Sequence, residues 1–216
     1  MVVASDLEGT LTTGETWKGL ARYLTRHGHA WPYRRFFAAR MPGYALSKLR
    51  VRDYQEFRER WIAHMPRLLA GLSTDDLREI AAWVVENELW PKRRPTVVAE
   101  LEAHRQSGRR VVLVSATYQP VLDAFAAKLG VEAVGTPLEV VGGVLTGHTL
   151  GGINSGENKP MRLADSLNLS HLEVAYGDTA ADIPFLKLSR VPVAVCPDRD
   201  LRAHAERYGW RVIQLR

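Results

Sequence analysis

Two hydrophobic periods divide the chain. Val2 to Ala4 is a short apolar run of the kind that forms a buried strand. From residue 95 onward, β-branched runs alternate with helical stretches. Pro95 can open a helix over Thr96–Gln106, and Ser107-Gly108 stops it. Arg110–Ser115 predicts a strand leading into Ser-Ala-Thr, Pro120–Leu129 a helix closed by Gly130, and Val131–Thr136 a further strand. Leu138–Val141 and Val144–Thr146, joined by Gly142-Gly143, predict a hairpin. A helix over Lys159–Leu167 and a strand over Leu172–Tyr176 follow. Then come a helix over Ala180–Leu188, a strand over Val191–Val195, a helix over Leu201–Tyr208 and a last strand over Arg211–Leu215. Strand–helix alternation of this kind implies an α/β fold with a doubly wound, mostly parallel sheet.

Between these parts the period is helical and no strand pattern occurs. Trp17, Leu20, Ala21 and Leu24 recur at helical spacing within Glu15–His27. A second helical piece, Trp31–Met41, is broken by Pro42-Gly43. Asp53–Leu69 is amphipathic through Tyr54, Phe57, Trp61 and Leu68, with Pro66 as a kink or end. Ser73-Thr74-Asp75-Asp76 starts a further helix, with Leu77, Ile80, Ala81, Val84 and Val85 as its buried stripe. The expected organisation is a core domain over 1–11 and 95–216, with residues 12–94 inserted as a helical cap over the active edge of the sheet.

Charge sharpens this division. Residues 12–94 hold 16 Lys and Arg against 9 Asp and Glu, a net of +7, whereas the whole chain carries +5. The basic excess therefore belongs to the inserted segment. It would attract a phosphorylated substrate, a nucleic acid or an anionic surface, or it would simply solvate helix faces. Aromatics beside arginines can stack bases, but helical spacing explains them as inward packing and no RNA-binding motif accompanies them, so nucleic acid is not the expected partner. The single cysteine, Cys196, allows no intrachain disulfide. No apolar run approaches a membrane span, and the N-terminus does not read as a secretory signal. The expectation is a cytoplasmic protein without a membrane partner. No pattern bears on oligomeric state.

Polar residues gather just after strands or at a helix start. Asp6 and Glu8, two residues apart and followed by Gly9-Thr10, end the first strand, and a turn at Gly9 lets both acids converge on one pocket. Two carboxylates in different environments can divide nucleophilic and acid/base work. Ser115 ends the second strand, Lys159 lies at a helix start, and Asp178 and Asp182 follow a later strand. In open α/β sheets, chemistry sits at the carboxyl ends of strands.

Four segments in this order, Asp6-Leu7-Glu8-Gly9-Thr10-Leu11-Thr12, Val112-Leu113-Val114-Ser115-Ala116-Thr117, Gly156-Glu157-Asn158-Lys159-Pro160 and Gly177-Asp178-Thr179-Ala180-Ala181-Asp182, carry a resemblance over nearly the whole chain. The sequence resembles the haloacid dehalogenase-like superfamily, in its phosphoserine-phosphatase-like branch with a helical cap. The resemblance implies a Mg²⁺-dependent phosphatase acting on a small phosphorylated metabolite, with phosphoserine one candidate. Asp6 would be the nucleophile and form an aspartyl-phosphate, and Glu8 the general acid and base. Asp6, Asp178 and the backbone carbonyl of Glu8 would hold Mg²⁺, which prefers a few carboxylates plus waters and substrate oxygens. Ser115, the Ala116 backbone and Lys159 would bind phosphate. Thr10 and Asp182 would support the site, Asp182 by holding a metal-bound water or orienting Lys159. Glu15 falls where phosphoserine phosphatases place a substrate-binding Glu, and Arg34, Arg35, Arg40, Arg50 or Arg52 could meet an anionic tail.

The pattern also departs from that branch. Glu8 stands where Asp is usual, a choice shared with the Asp-x-Glu-Gly-Thr motif of enolase-phosphatases. Ser115-Ala116-Thr117 replaces Ser-Gly-Gly, and Ala181 replaces Asn. The alternatives are a phosphotransferase on the same scaffold and a non-catalytic protein of this fold that binds nucleic acid or anionic partners through the basic segment.

Overall fold

The N-terminal apolar run forms β1 (Val2–Ser5), the strand that carries the site. It lies inside a parallel sheet in a computed structural model that describes residues 1–28, 31, 33–39, 54–168 and 171–215. The other strands are β2 (Arg110–Tyr118), β3 (Glu132–Thr136), β6 (Leu172–Gly177), β7 (Ser189–Val195) and β8 (Arg211–Ile213), in the order β3-β2-β1-β6-β7-β8. Ala4 sits opposite Val112 of β2 on one side and Ala175 of β6 on the other. The chain winds outward from β1 to β3, then returns to β6 beside β1 and winds the other way. The switch point thus falls between β1 and β6, where doubly wound sheets open a crevice beyond their carboxyl ends.

Alternation along the strands supplies a core to each face. Val3, Leu113 and Tyr176 face one side, with Val97 and Leu101 of α5 (Pro95–Gln106) and Phe125 of α6 (Gln119–Leu129). Ala4, Val112 and Ala175 face the other. They meet Leu163 of α7 (Asn158–Leu167), Phe185 of α8 (Ile183–Leu186) and Leu201 of α9 (Arg199–Tyr208). Full burial of a Leu or Phe side chain is worth about 1.5–3 kcal/mol, and these residues are almost wholly inaccessible.

The segment between β1 and α5 is helical, as its period predicts. It contains α1 (Thr16–Arg26), α2 (33–39), α3 (Tyr54–His64) and α4 (Thr74–Val84). Pro66 ends α3 rather than kinking it: α3 stops at His64 and a 3-10 turn, Met65–Leu69, continues, because a proline interior to a helix loses a hydrogen bond and clashes with the preceding turn. Asp53 and the break at Pro42-Gly43 lie outside the described residues. Ser73 caps α4 in a reciprocal box, accepting from the Asp76 N–H at 3.1 Å while Asp76 accepts from the Ser73 N–H at 2.9 Å. Leu20, Ile80 and Val84 join the same apolar cluster as Val3 and Phe125. The expected hairpin, β4 (Leu138–Val141) with β5 (Val144–Thr149), docks on this segment, since Gly71 N–H donates to Leu145 O and Leu145 N–H to Leu72 O, both at 2.9 Å.

Two elements differ most from the pattern, while β5 runs past the expected Thr146 to Thr149 and β8 ends at Ile213 rather than Leu215. β2 runs past Ser115 to Tyr118, with its register against β3 shifting between Val114 and Tyr118. The Thr136 hydroxyl holds the irregular stretch by donating to Ala116 O at 2.8 Å. The expected helix over Ala180–Leu188 is a 3-10 turn, Ala180–Asp182, followed by the short α8. The turn forms because the Asp182 side chain folds back onto the loop before it.

Candidate active site

Asp6 is placed by backbone as much as by burial. Its N–H donates to Tyr176 O of β6 at 2.9 Å, which carries the β1–β6 ladder one residue past the strand end. The chain then turns tightly: Leu11 N–H donates to Leu7 O at 2.8 Å and Gly9 N–H to Thr12 O at 2.7 Å. Gly9 is required here. Its φ is +92°, and a Cβ would lie 2.0 Å from Asp178 Oδ2. We expect Gly9→Ala to cost about 1–3 kcal/mol through backbone strain and to displace the Asp178 carboxylate. An unchanged melting curve would contradict this.

Lys159 reaches the same point from the N-terminal turn of α7. A helix N-terminus disfavours a cation, so carboxylates must compensate it, and two do. Lys159 Nζ lies 2.6 Å from Asp6 Oδ1 and 2.5 Å from Asp182 Oδ1, with all three side chains buried. Burial alone would lower the pKa of the Lys159 ammonium. Asp182 and Asp6, by charge and hydrogen bonds, outweigh burial and raise it above the ordinary lysine value. Burial alone would likewise raise the Asp182 carboxyl. Lys159 and the N–H groups of Thr179 and Asp178 hold it below its ordinary value. The other Asp182 oxygen, Oδ2, accepts from the N–H groups of Asp178 at 3.1 Å and Thr179 at 3.2 Å. Asp178 is fixed in turn by the wholly buried Thr10, whose hydroxyl donates to Asp178 Oδ1 at 3.0 Å.

Glu8 points to a different set of partners. Its Oε1 accepts from the Thr16 N–H at 2.8 Å and from the Thr117 hydroxyl at 3.0 Å. α1 has no capping side chain of its own, since Glu15 at its N-cap makes no cap hydrogen bond. Glu8 does that work from eight residues upstream, its Oε1 receiving a backbone N–H of the first turn. Thr117 also lies 3.4 Å from the Ser115 hydroxyl.

Asp6, Glu8, Glu15, Ser115, Ala116, Lys159, Asp178 and Asp182 all line one cavity of about 540 Å³. The expected residues are therefore brought together, with Thr10 just beneath. Glu15 sits at its edge, 3.0 Å from Lys18 Nζ. Arg34 and Arg35 do not line the cavity and are exposed. Arg40, Arg50 and Arg52 lie outside the described residues. Several cavity residues carry no signal of their own in the sequence, Thr117 and Arg94 among them. Thr117 was visible only as the third position of its motif. Arg94, whose Nε donates to Gly9 O at 3.1 Å, was only one base in a basic segment.

The carboxylates Asp6, Asp178 and Asp182 bring ligand oxygens within 4.8 Å of one another, a grouping that could hold a metal ion. With Glu8 and Glu15, five carboxylates line the cavity against two cations among the described residues, Lys159 and Arg94. A phosphate dianion entering this field needs further positive charge. A hard divalent cation with oxygen ligands fits the donor set, and thiolate or imidazole chemistry does not enter it.

Comparison with known proteins agrees with this geometry. A family profile described as haloacid dehalogenase-like hydrolase matches residues 3–187, and the chain belongs to that family of hydrolases. It is 29% identical to phosphoserine phosphatase SerB1 of Mycobacterium tuberculosis over 224 aligned positions, covering 98% of this chain and 70% of that protein. It is 27% identical to a histidinol-phosphatase of Neisseria meningitidis over 157 positions, covering 68% of this chain and 71% of that protein. A solved structure of a Bordetella pertussis protein of unknown function superposes with a TM-score of 0.80 at 25% identity, covering 98% and 97% of the two chains. Solved phosphoserine phosphatases share its fold, one of them with a TM-score of 0.62 at 21% identity, covering 100% of this chain and 93% of that chain. No helix among the described residues is long and apolar enough to cross a membrane.

Proposed function

We propose that this protein is a Mg²⁺-dependent phosphatase that hydrolyses a small phosphate monoester through an aspartyl-phosphate on Asp6. The observation that carries the reading is the placement of Asp6: buried at the carboxyl end of β1, held by Lys159 at 2.6 Å, and grouped with Asp178 and Asp182. The relatives named phosphoserine phosphatase and histidinol-phosphatase support a small phosphorylated metabolite as substrate, with phosphoserine one candidate. Residues 12–94 act in this reading as the cap.

The chemistry follows from the side chains. A carboxylate oxygen of Asp6 attacks phosphorus while the bond from phosphorus to the alcohol oxygen breaks. Glu8 gives its proton to the departing oxygen, then takes one from the water that attacks the acyl phosphate and frees Asp6. The hydrogen bonds from Thr117 and Thr16 fix Glu8 Oε1 for both steps. Ser115, Lys159 and the backbone at Ala116 bind the phosphoryl oxygens, as preorganised groups that need no reorientation. Asp182 orients Lys159, which its contacts favour over the holding of a water. Mg²⁺, held by Asp6, Asp178 and the Glu8 carbonyl, would supply charge neutralisation at the phosphate oxygens.

The test is phosphate release from p-nitrophenyl phosphate and from an alkyl phosphate, with Mg²⁺ and with EDTA. Release should require the cation. Glu8→Gln should slow the first release of the alkyl alcohol by about 10²–10⁴-fold and the first release of nitrophenolate much less, because nitrophenolate departs without a proton, while the later hydrolysis of the acyl phosphate slows for both. Equal turnover in EDTA, or equal slowing of the two first releases, would contradict the assignment.

A further inference from the structure

The floor of the cavity is charged, whereas the roof, among the described residues, is largely apolar. Trp17, Phe37, Trp61, Ile62 and Met65 line it from the helical segment, and Tyr118 lines it from β2. The aromatic rings form one edge-on cluster. Trp61 meets Trp17 with centroids 5.9 Å apart at 77°, and Phe37 at 5.8 Å and 89°. Such T-shaped contacts are the preferred arrangement of aromatic pairs, and they hold the rings as a wall. Phe36 backs Trp61 from behind at 5.5 Å. The Tyr118 hydroxyl donates to Ile62 O at 2.6 Å, so its one donor is spent on the helical segment and its ring is what remains for the cavity. Among the described residues, the cations lining the cavity are Lys159 and Arg94. Both are tied to the floor, to Asp6 and to Gly9 O.

On the phosphatase reading, on which this inference rests, the phosphoryl group occupies the floor and the alcohol part of the ester faces this roof. A carboxylate on the alcohol part would meet apolar rings and, at the edge, the acid Glu15 rather than a further cation among the described residues, which is costly. It would also leave most of the wall in contact with water. We propose that the substrate is the phosphate monoester of an alcohol bearing a flat, uncharged ring, which the roof receives edge-on and face-on between Trp17, Phe37 and Trp61. Ligand sites of this size are typically apolar, with a few convergent polar groups that fix orientation. Here the fixing groups are at the phosphate end and the selecting surface is aromatic.

The experiment compares esters of three primary alcohols, phenethyl phosphate, propyl phosphate and O-phospho-L-serine, with Mg²⁺, on wild type and on Phe37→Ala and Trp17→Ala. These esters lack an activated leaving group, so ratios of kcat/KM report the fit of the alcohol part. Wild type should prefer phenethyl phosphate to phosphoserine by at least ~10-fold, the discrimination that apolar pockets reach. Each variant should lower the phenethyl-to-propyl ratio by about 10-fold, chiefly through KM. Because the readout is a ratio within one preparation, partial misfolding does not imitate it. Phosphoserine turned over as well as or better than phenethyl phosphate would overturn the inference and leave the phosphatase intact. Ratios unchanged in both variants would overturn it as well. No hydrolysis of any ester by wild type would instead remove the phosphatase reading beneath it.

Discussion

Asp6→Asn should lower release of phosphate from monoesters by at least about 10⁴-fold, the scale of loss when a nucleophile is removed from a preorganised site. Asn is nearly isosteric and keeps the backbone contact to Tyr176 O, but its amide cannot form the acyl phosphate. The fold should survive. Lys159 retains Asp182 at 2.5 Å, so the buried ammonium keeps a carboxylate and is not stranded. The discriminating pattern is therefore lost turnover with a melting temperature close to wild type. A variant that retained a tenth of the activity would show that Asp6 is not the nucleophile.

Lys159→Met should act on stability first. The ammonium is buried between Asp6 and Asp182, and removing it leaves two carboxylates facing each other away from water. Breaking a buried pair in this one-sided way costs about 3–5 kcal/mol, a fall in melting temperature on the order of 10 °C for a chain of this size. The pH dependence has a definite sign. Asp182 is held below its ordinary carboxyl value, chiefly against burial and by Lys159. Its contribution to stability is fully present above the ordinary value and lost as pH falls through the depressed one. Without Lys159 the depression goes, so acid unfolding of the metal-free variant should begin at higher pH than in wild type. Lys159→Met with Asp182→Asn should recover part of the lost stability, because one stranded carboxylate is then neutral. Thermal and acid unfolding followed by circular dichroism check both points. A single variant as stable as wild type would contradict the compensation described here.

The placement of the chemistry was legible in the sequence because it is local. Three of the four motifs sit at the ends of strands whose apolar runs are easily seen, and a parallel sheet brings those ends to one edge; the fourth, at Lys159, marks a helix start. The hairpin at Gly142-Gly143 and the cap box at Ser73 were legible for the same reason, since turn and cap residues act within a few positions. What was not legible depends on pairing across the chain. Glu8 and Thr117 meet from 109 residues apart, and nothing local to either says so. The longer arm of Glu8 appeared from sequence only as a departure. In the structure that carboxylate also caps α1. Arg94 gained its role from the return of the chain to the sheet, where its guanidinium meets Gly9. The extension of β2 to Tyr118 follows from Thr136 reaching Ala116, a contact between neighbouring strands. The aromatic roof was read as ordinary helix packing, and much of it is that. That some of these rings also face the cavity is a matter of helix orientation, which spacing alone does not give.

The most direct test of the central reading is to quench the enzyme in acid during turnover of a phosphate monoester with Mg²⁺, and to map its peptides by mass spectrometry. One phosphoryl group on the peptide containing Asp6, chased away when substrate is exhausted and absent from Asp6→Asn, is the expected result. Continued hydrolysis with the phosphoryl group found on another residue, or with turnover undiminished in Asp6→Asn, would contradict it.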